Sequence, residues 1–80
     1  MLTKLSLLTP GTTAEVVRIR AEGPLKRRMM DMGIVAGTRV QLQKSAPLGD
    51  PLEIKIKNFN LALRKREADL VEVDTVDSVN

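Results

Sequence analysis

Arg39-Val40-Gln41-Leu42-Gln43-Lys44 and Leu52-Glu53-Ile54-Lys55-Ile56-Lys57 decide the fold, because in both stretches apolar residues alternate with polar or charged ones. A period of two puts every second side chain on one face, the pattern of a half-buried strand. Between them Ala46-Pro47-Leu48-Gly49-Asp50-Pro51 is a loop held by two prolines and a glycine. The two strands are therefore expected to pair antiparallel, burying Val40, Leu42, Leu52, Ile54 and Ile56. Asn58-Phe59-Asn60 reads as the next turn, followed by a strand at Leu61-Ala62-Leu63-Arg64. Leu61 and Leu63 are expected to join the same core.

Thr9-Pro10-Gly11-Thr12 is a turn signal, with Pro suited to the second position and Gly to a positive φ at the third. Thr13 to Arg20 reads as a strand whose alternation slips: Ala14 and Val16 set one phase, Val17 and Ile19 the other. A bulge near Val17-Arg18 lets Val16 and Ile19 both face inward. Gly23-Pro24 opens the one good helix, with Leu25, Met29 and Met32 forming a single apolar stripe. Gly33 stops it in a left-handed cap with Ile34 as the accompanying apolar contact. Lys65 to Asp69 reads as one helical turn and Leu70 to Val73 as a last strand. Residues 76–80 are expected to form an acidic, frayed tail after a domain spanning residues 1–75.

About five short strands and one short helix indicate a mainly β protein, a small SH3-like β-barrel. An OB-type barrel is the second choice.

With 80 residues there is room for one small core. No cysteine or histidine is present. Disulfides and thiolate metal sites are excluded, and the commonest general base is missing. No glycine-rich phosphate loop occurs either. The composition points away from enzymes, and no cofactor or metal site is expected. Residues 1–66 carry all 13 bases against five acids, a balance of +8, whereas residues 67–80 carry five acids and no base. A basic body fits an acidic partner. No apolar run approaches the roughly 18–20 residues that span a bilayer. Met1-Leu2-Thr3-Lys4-Leu5 lacks the apolar region of a signal peptide, so a cytoplasmic location is expected.

Four stretches carry a family resemblance: Arg28-Met29-Met30-Asp31-Met32-Gly33-Ile34, Gly37-Thr38-Arg39-Val40, the loop Ala46 to Pro51, and Leu61-Ala62-Leu63-Arg64 with Ala68. In this order and spacing they resemble the FeoA family of bacterial ferrous iron uptake. The resemblance covers about residues 2–74. Ala36 stands where such sequences often have Pro, and Met fills helix positions that are more usually Leu. The resemblance implies an SH3-like fold and a supporting role for the membrane GTPase transporter FeoB. A partner at the membrane would recruit the chain there indirectly. A similar fold ends the iron-dependent repressors, which makes a free-standing relative of that domain one alternative. A basic nucleic-acid-binding barrel is another, although single-strand binding leans on aromatic stacking and Phe59 is the one aromatic residue.

The candidate partner surface is the outer face of the helix, Lys26, Arg27 and Met30, with Leu48, Gly49 and Asp50 as its rim. At 100° per residue Met30 lies about 140° from Leu25, away from the apolar stripe. Lys26 and Arg27 sit near the positive end of the helix dipole and Asp31 near the negative end, the reverse of what stabilises a helix. Such a locally unfavourable choice is where function most often overrides stability.

Overall fold

The computed structural model describes residues 1–75, so the expected tail at 76–80 lies outside the described residues. Six strands form one antiparallel sheet: β1 (Leu2–Lys4), β2 (Thr13–Ile19), β3 (Arg39–Ser45), β4 (Leu52–Ile56), β5 (Phe59–Leu63) and β6 (Val71–Thr75). Helix α1 (Gly23–Asp31) links β2 to β3, and the single turn α2 (Lys65–Ala68) links β5 to β6. A 3-10 turn at Leu5–Leu7 follows β1. The strand order is β1-β6-β2-β3-β4-β5. The mainly β architecture is the expected one, with β1 an addition. Three residues are too few to show a period, and Leu2 is exposed.

The slip of phase in β2 is a bulge. Val16 pairs with Val73 and Arg18 with Glu72, leaving Val17 as the extra residue. Val16 is buried and Ile19 packs against the core, as the alternation requires. A second bulge falls at Gln43, between the pairs Leu42–Ile54 and Lys44–Glu53. Bulges sharpen the twist and curvature of so small a sheet.

The hairpin of β4 and β5 turns one residue earlier than expected, at Lys57-Asn58. Its pairs are Leu52–Leu63, Ile54–Leu61 and Ile56–Phe59. Directly paired residues share a face, so this register keeps both leucines over the core. The cost is a φ of 55° at Lys57, a left-handed value that a side chain disfavours.

One core unites the sheet with the helices. Val40, Leu42, Leu52, Ile54, Ile56 and Leu63 are buried, and Leu61 packs at its margin. Leu5, Val71 and Val73 are buried with them. From α1, Met29 is fully buried and Leu25 partly so, and Met32 at the helix C-cap packs against the same core. The helix ends in a complete Schellman motif. The amide of Ile34 donates to the carbonyl of Met29 (3.0 Å) and that of Gly33 to the carbonyl of Met30 (2.9 Å). Gly33 takes the required positive φ of 99°, and Ile34 after it is buried in the same core as Met29.

Candidate functional site

The bulge of β2 and the outer face of α1 enclose a groove of about 260 Å3, lined by Val17, Arg18, Ile19, Lys26, Met30, Ile34, Val35 and Ala36. Two local features make it. The Val16 amide donates to Thr38 O and the Gly37 amide to Val16 O, both at 2.8 Å. Val17 is thereby left at the bulge, outside the ladder. The amide of Thr38 closes a turn onto Val35 O at 3.0 Å, which leaves Val35 exposed at the groove wall.

Met30 is 46% exposed, as its position on the helix predicts. Lys26 and Arg27 are exposed too, but Arg27 does not line the groove. Lys26 makes no ion pair among the described residues. Arg18 differs, because its Nε lies 2.8 Å from Oε1 of Glu72. That contact is an ion pair without hydrogen-bond alignment, so the buried Oε1 accepts no hydrogen bond. The free cation of the groove is therefore Lys26, beside the adaptable apolar surface of Met30, Val17 and Val35. Thioether carbon and sulfur can fit varied apolar groups, while the ammonium attracts carboxylates.

Leu48, Gly49 and Asp50 do not line this groove. Their loop is tied into shape by Gly49 N–H donating to Ala46 O (2.7 Å) and Ala46 N–H to Pro51 O (3.0 Å). Leu48 stands at its tip, 95% exposed. Asp50 Oδ1 accepts the Lys65 amide at 2.9 Å, fastening the loop to α2. The two prolines of the loop line a separate groove of about 470 Å3 with Lys44, Leu52 and Ala62. Neither Lys26 nor Met30 lines that second groove.

Sequence reasoning did not find the contribution of Val17, Val35 and Ala36, whose outward position depends on the bulge and the turn. It also missed Glu67. The Glu67 carboxylate accepts the Arg64 amide at 3.0 Å and pairs with Arg28 of α1. The signal was available: a glutamate three residues after the start of a helix can cap it. Arginine has no acceptor with which to complete a reciprocal capping box.

Among the described residues no three acidic side chains gather where they could hold a metal ion. No helix there is long and apolar enough to cross a membrane.

A small antiparallel β domain with a basic and apolar groove beside its one long helix falls in the SH3-like class. Comparison with known proteins narrows the class. The family model described as FeoA domain matches residues 3–75, and the chain belongs to that family. It is 35% identical over 75 residues to an Fe(2+) transport protein A/Fe(2+) transporter FeoB fusion protein of Porphyromonas gingivalis. That match covers 94% of this chain and 9% of the fusion protein. Iron(II) transport protein A from Clostridium thermocellum is 47% identical, with a TM-score of 0.89, covering 92% of this chain and 46% of that one. The zinc complex of FeoA from Stenotrophomonas maltophilia, described as a prokaryotic SH3 domain protein, is 33% identical with a TM-score of 0.79. It covers 90% of this chain and 89% of that one. The expected family and SH3-like fold are both found.

Proposed function

We propose that this chain is a non-enzymatic accessory protein of bacterial ferrous iron uptake, acting in the cytoplasm by contact with the cytoplasmic part of a FeoB-type transporter. The observation that carries this reading is the relative in which the same domain is fused to FeoB. Domains joined in one chain work at high effective concentration, which makes a functional contact between them the natural reason for the fusion. The groove between β2 and α1 supplies the surface, with Met30 and Val35 as apolar contacts and Lys26 and Arg27 steering an acidic patch. The exposed Leu48 of the rigid loop is a second apolar anchor, held by Gly49 and Asp50. Nucleic acid is less well served. The one aromatic ring, Phe59, packs against Gly33 and stands alone as a stacking platform.

The test is the double variant Lys26→Glu/Arg27→Glu. Both side chains are exposed and form no ion pair among the described residues, so the fold is expected to survive. Affinity for the purified cytoplasmic part of the transporter should fall about tenfold or more and lose its dependence on salt. Uptake of ferrous iron in a complementation assay should fall with it. A folded variant that binds and supports uptake normally overturns this assignment of the surface.

A further inference from the structure

Arg28 of α1 and Arg64 and Arg66 at the two sides of the α2 start line one groove of about 510 Å3, with Pro51, Ala62 and Glu67 completing its wall. Three arginines thus share one groove with one glutamate, and that glutamate is already engaged. Glu67 is occupied by the Arg28 side chain and by the Arg64 amide. The nearby carboxylate of Asp50 is likewise engaged by the Lys65 amide. Among the described residues Arg64 and Arg66 form no ion pair. Two arginines without an ion pair among the described residues therefore border a groove whose one lining acid, Glu67, is paired with Arg28. Arg28 is in addition held by its partner, so one fork of the groove is ordered before any ligand arrives.

We propose that this groove is an oxyanion site that binds a phosphate group through Arg64 and Arg66, with Arg28 positioned by Glu67 as the third wall. A guanidinium fork presents parallel N–H donors that match the oxygens of a phosphate two at a time. Pro51 and Ala62 add an apolar side to the groove. A second phosphate in the same ligand, as in a phosphoanhydride, would engage both unpaired arginines at once. The site is distinct from the groove of Lys26 and Met30, and it does not depend on which protein the chain contacts.

The probe is inorganic pyrophosphate, titrated at constant ionic strength into the whole chain and followed by backbone amide NMR shifts. A saturable response centred on Ala62 and residues 64–67 is expected. Arg64→Ala/Arg66→Ala should raise the half-saturation concentration at least tenfold, with a melting temperature close to that of the parent because both side chains are exposed. Lys4→Ala/Lys55→Ala removes the same charge elsewhere and should change half-saturation less than twofold. Vesicles of phosphatidylcholine containing phosphatidylglycerol form a second arm. Co-sedimentation lost in the arginine variant, with no pyrophosphate response, makes a lipid headgroup the source of the phosphate. The proposal is overturned if neither probe binds, or if shifts are linear and spread over all basic residues. It also fails if glutarate binds as tightly as pyrophosphate, or if the control variant loses as much as the arginine variant.

Discussion

The Phe59 ring lies over Gly33: a Cβ built on that glycine would stand 3.7 Å from Cζ of the ring, an ordinary van der Waals contact. Space is therefore not what reserves the position for glycine. The positive φ of 99° is. Gly33→Ala should cost about 1–2 kcal/mol through the backbone alone. The same loss measured in a Phe59→Ala background would show that the ring is not its cause; denaturant unfolding of the four proteins makes the comparison.

At Lys57 the situation is reversed. A lysine occupies the left-handed region at φ 55° in the two-residue connection between β4 and β5. Lys57→Gly removes the steric conflict while making the unfolded chain more flexible. A net stabilisation of about 0.5–1 kcal/mol is expected by urea titration.

Ile54 is fully buried on β4, paired with Leu42 on β3 and with Leu61 on the edge strand β5. Ile54→Ala should cost roughly 2–5 kcal/mol by lost transfer energy and the cavity left behind. In a domain of this size that is a large fraction of the total stability, so the thermal transition should shift strongly or vanish.

The Arg28–Glu67 pair ties α1 to α2, with the two side chains 60% and 13% exposed. Glu67→Gln keeps an acceptor for the Arg64 amide and removes the charge. A loss of about 0.2–1 kcal/mol is expected, shrinking as salt is raised. Glu67→Ala should cost more than Glu67→Gln, because it also removes the cap.

Ferrous iron is expected to find no stoichiometric, sub-micromolar site on this chain. With no histidine and no cysteine, the imidazole and thiolate ligands that tight ferrous sites recruit are absent. Anaerobic calorimetry measures this directly, and a tight site of defined stoichiometry would contradict the accessory reading.

How much of this was legible in the sequence depended on the range of the interaction. Val40 to Ile56 announced themselves because a half-buried strand writes its face into every second residue. The helix stripe and the Gly33–Ile34 end were equally plain, since a Schellman motif is built within six residues. The bulge at Val17 left a visible slip of phase. Its counterpart at Gln43 did not, because the apolar run of β3 ends at Leu42. The turn at Lys57-Asn58 was displaced by the demand that Leu61 and Leu63 share a face with Ile54, which local residue types do not express. At the candidate site, Met30 was placed outward by helix geometry alone. That Lys26 and Met30 line one groove and the prolines of the 46–51 loop another was hidden, because sequence spacing does not express which surfaces distant segments share.

The pairing of β1 with β6 brings residues near both ends of the sequence side by side: Leu2 is opposite Asp74, and the Thr75 amide donates to Met1 O at 3.0 Å. A domain entered and left at one corner can be spliced into a longer polypeptide as a cassette, since adjacent ends impose little strain on the host. It should also tolerate circular permutation. Joining the two ends by a short flexible linker and opening the chain between Pro47 and Gly49, at a surface loop, is expected to preserve the sheet. The same architecture can therefore serve as a separate protein or as a segment of a larger one without any change to its core.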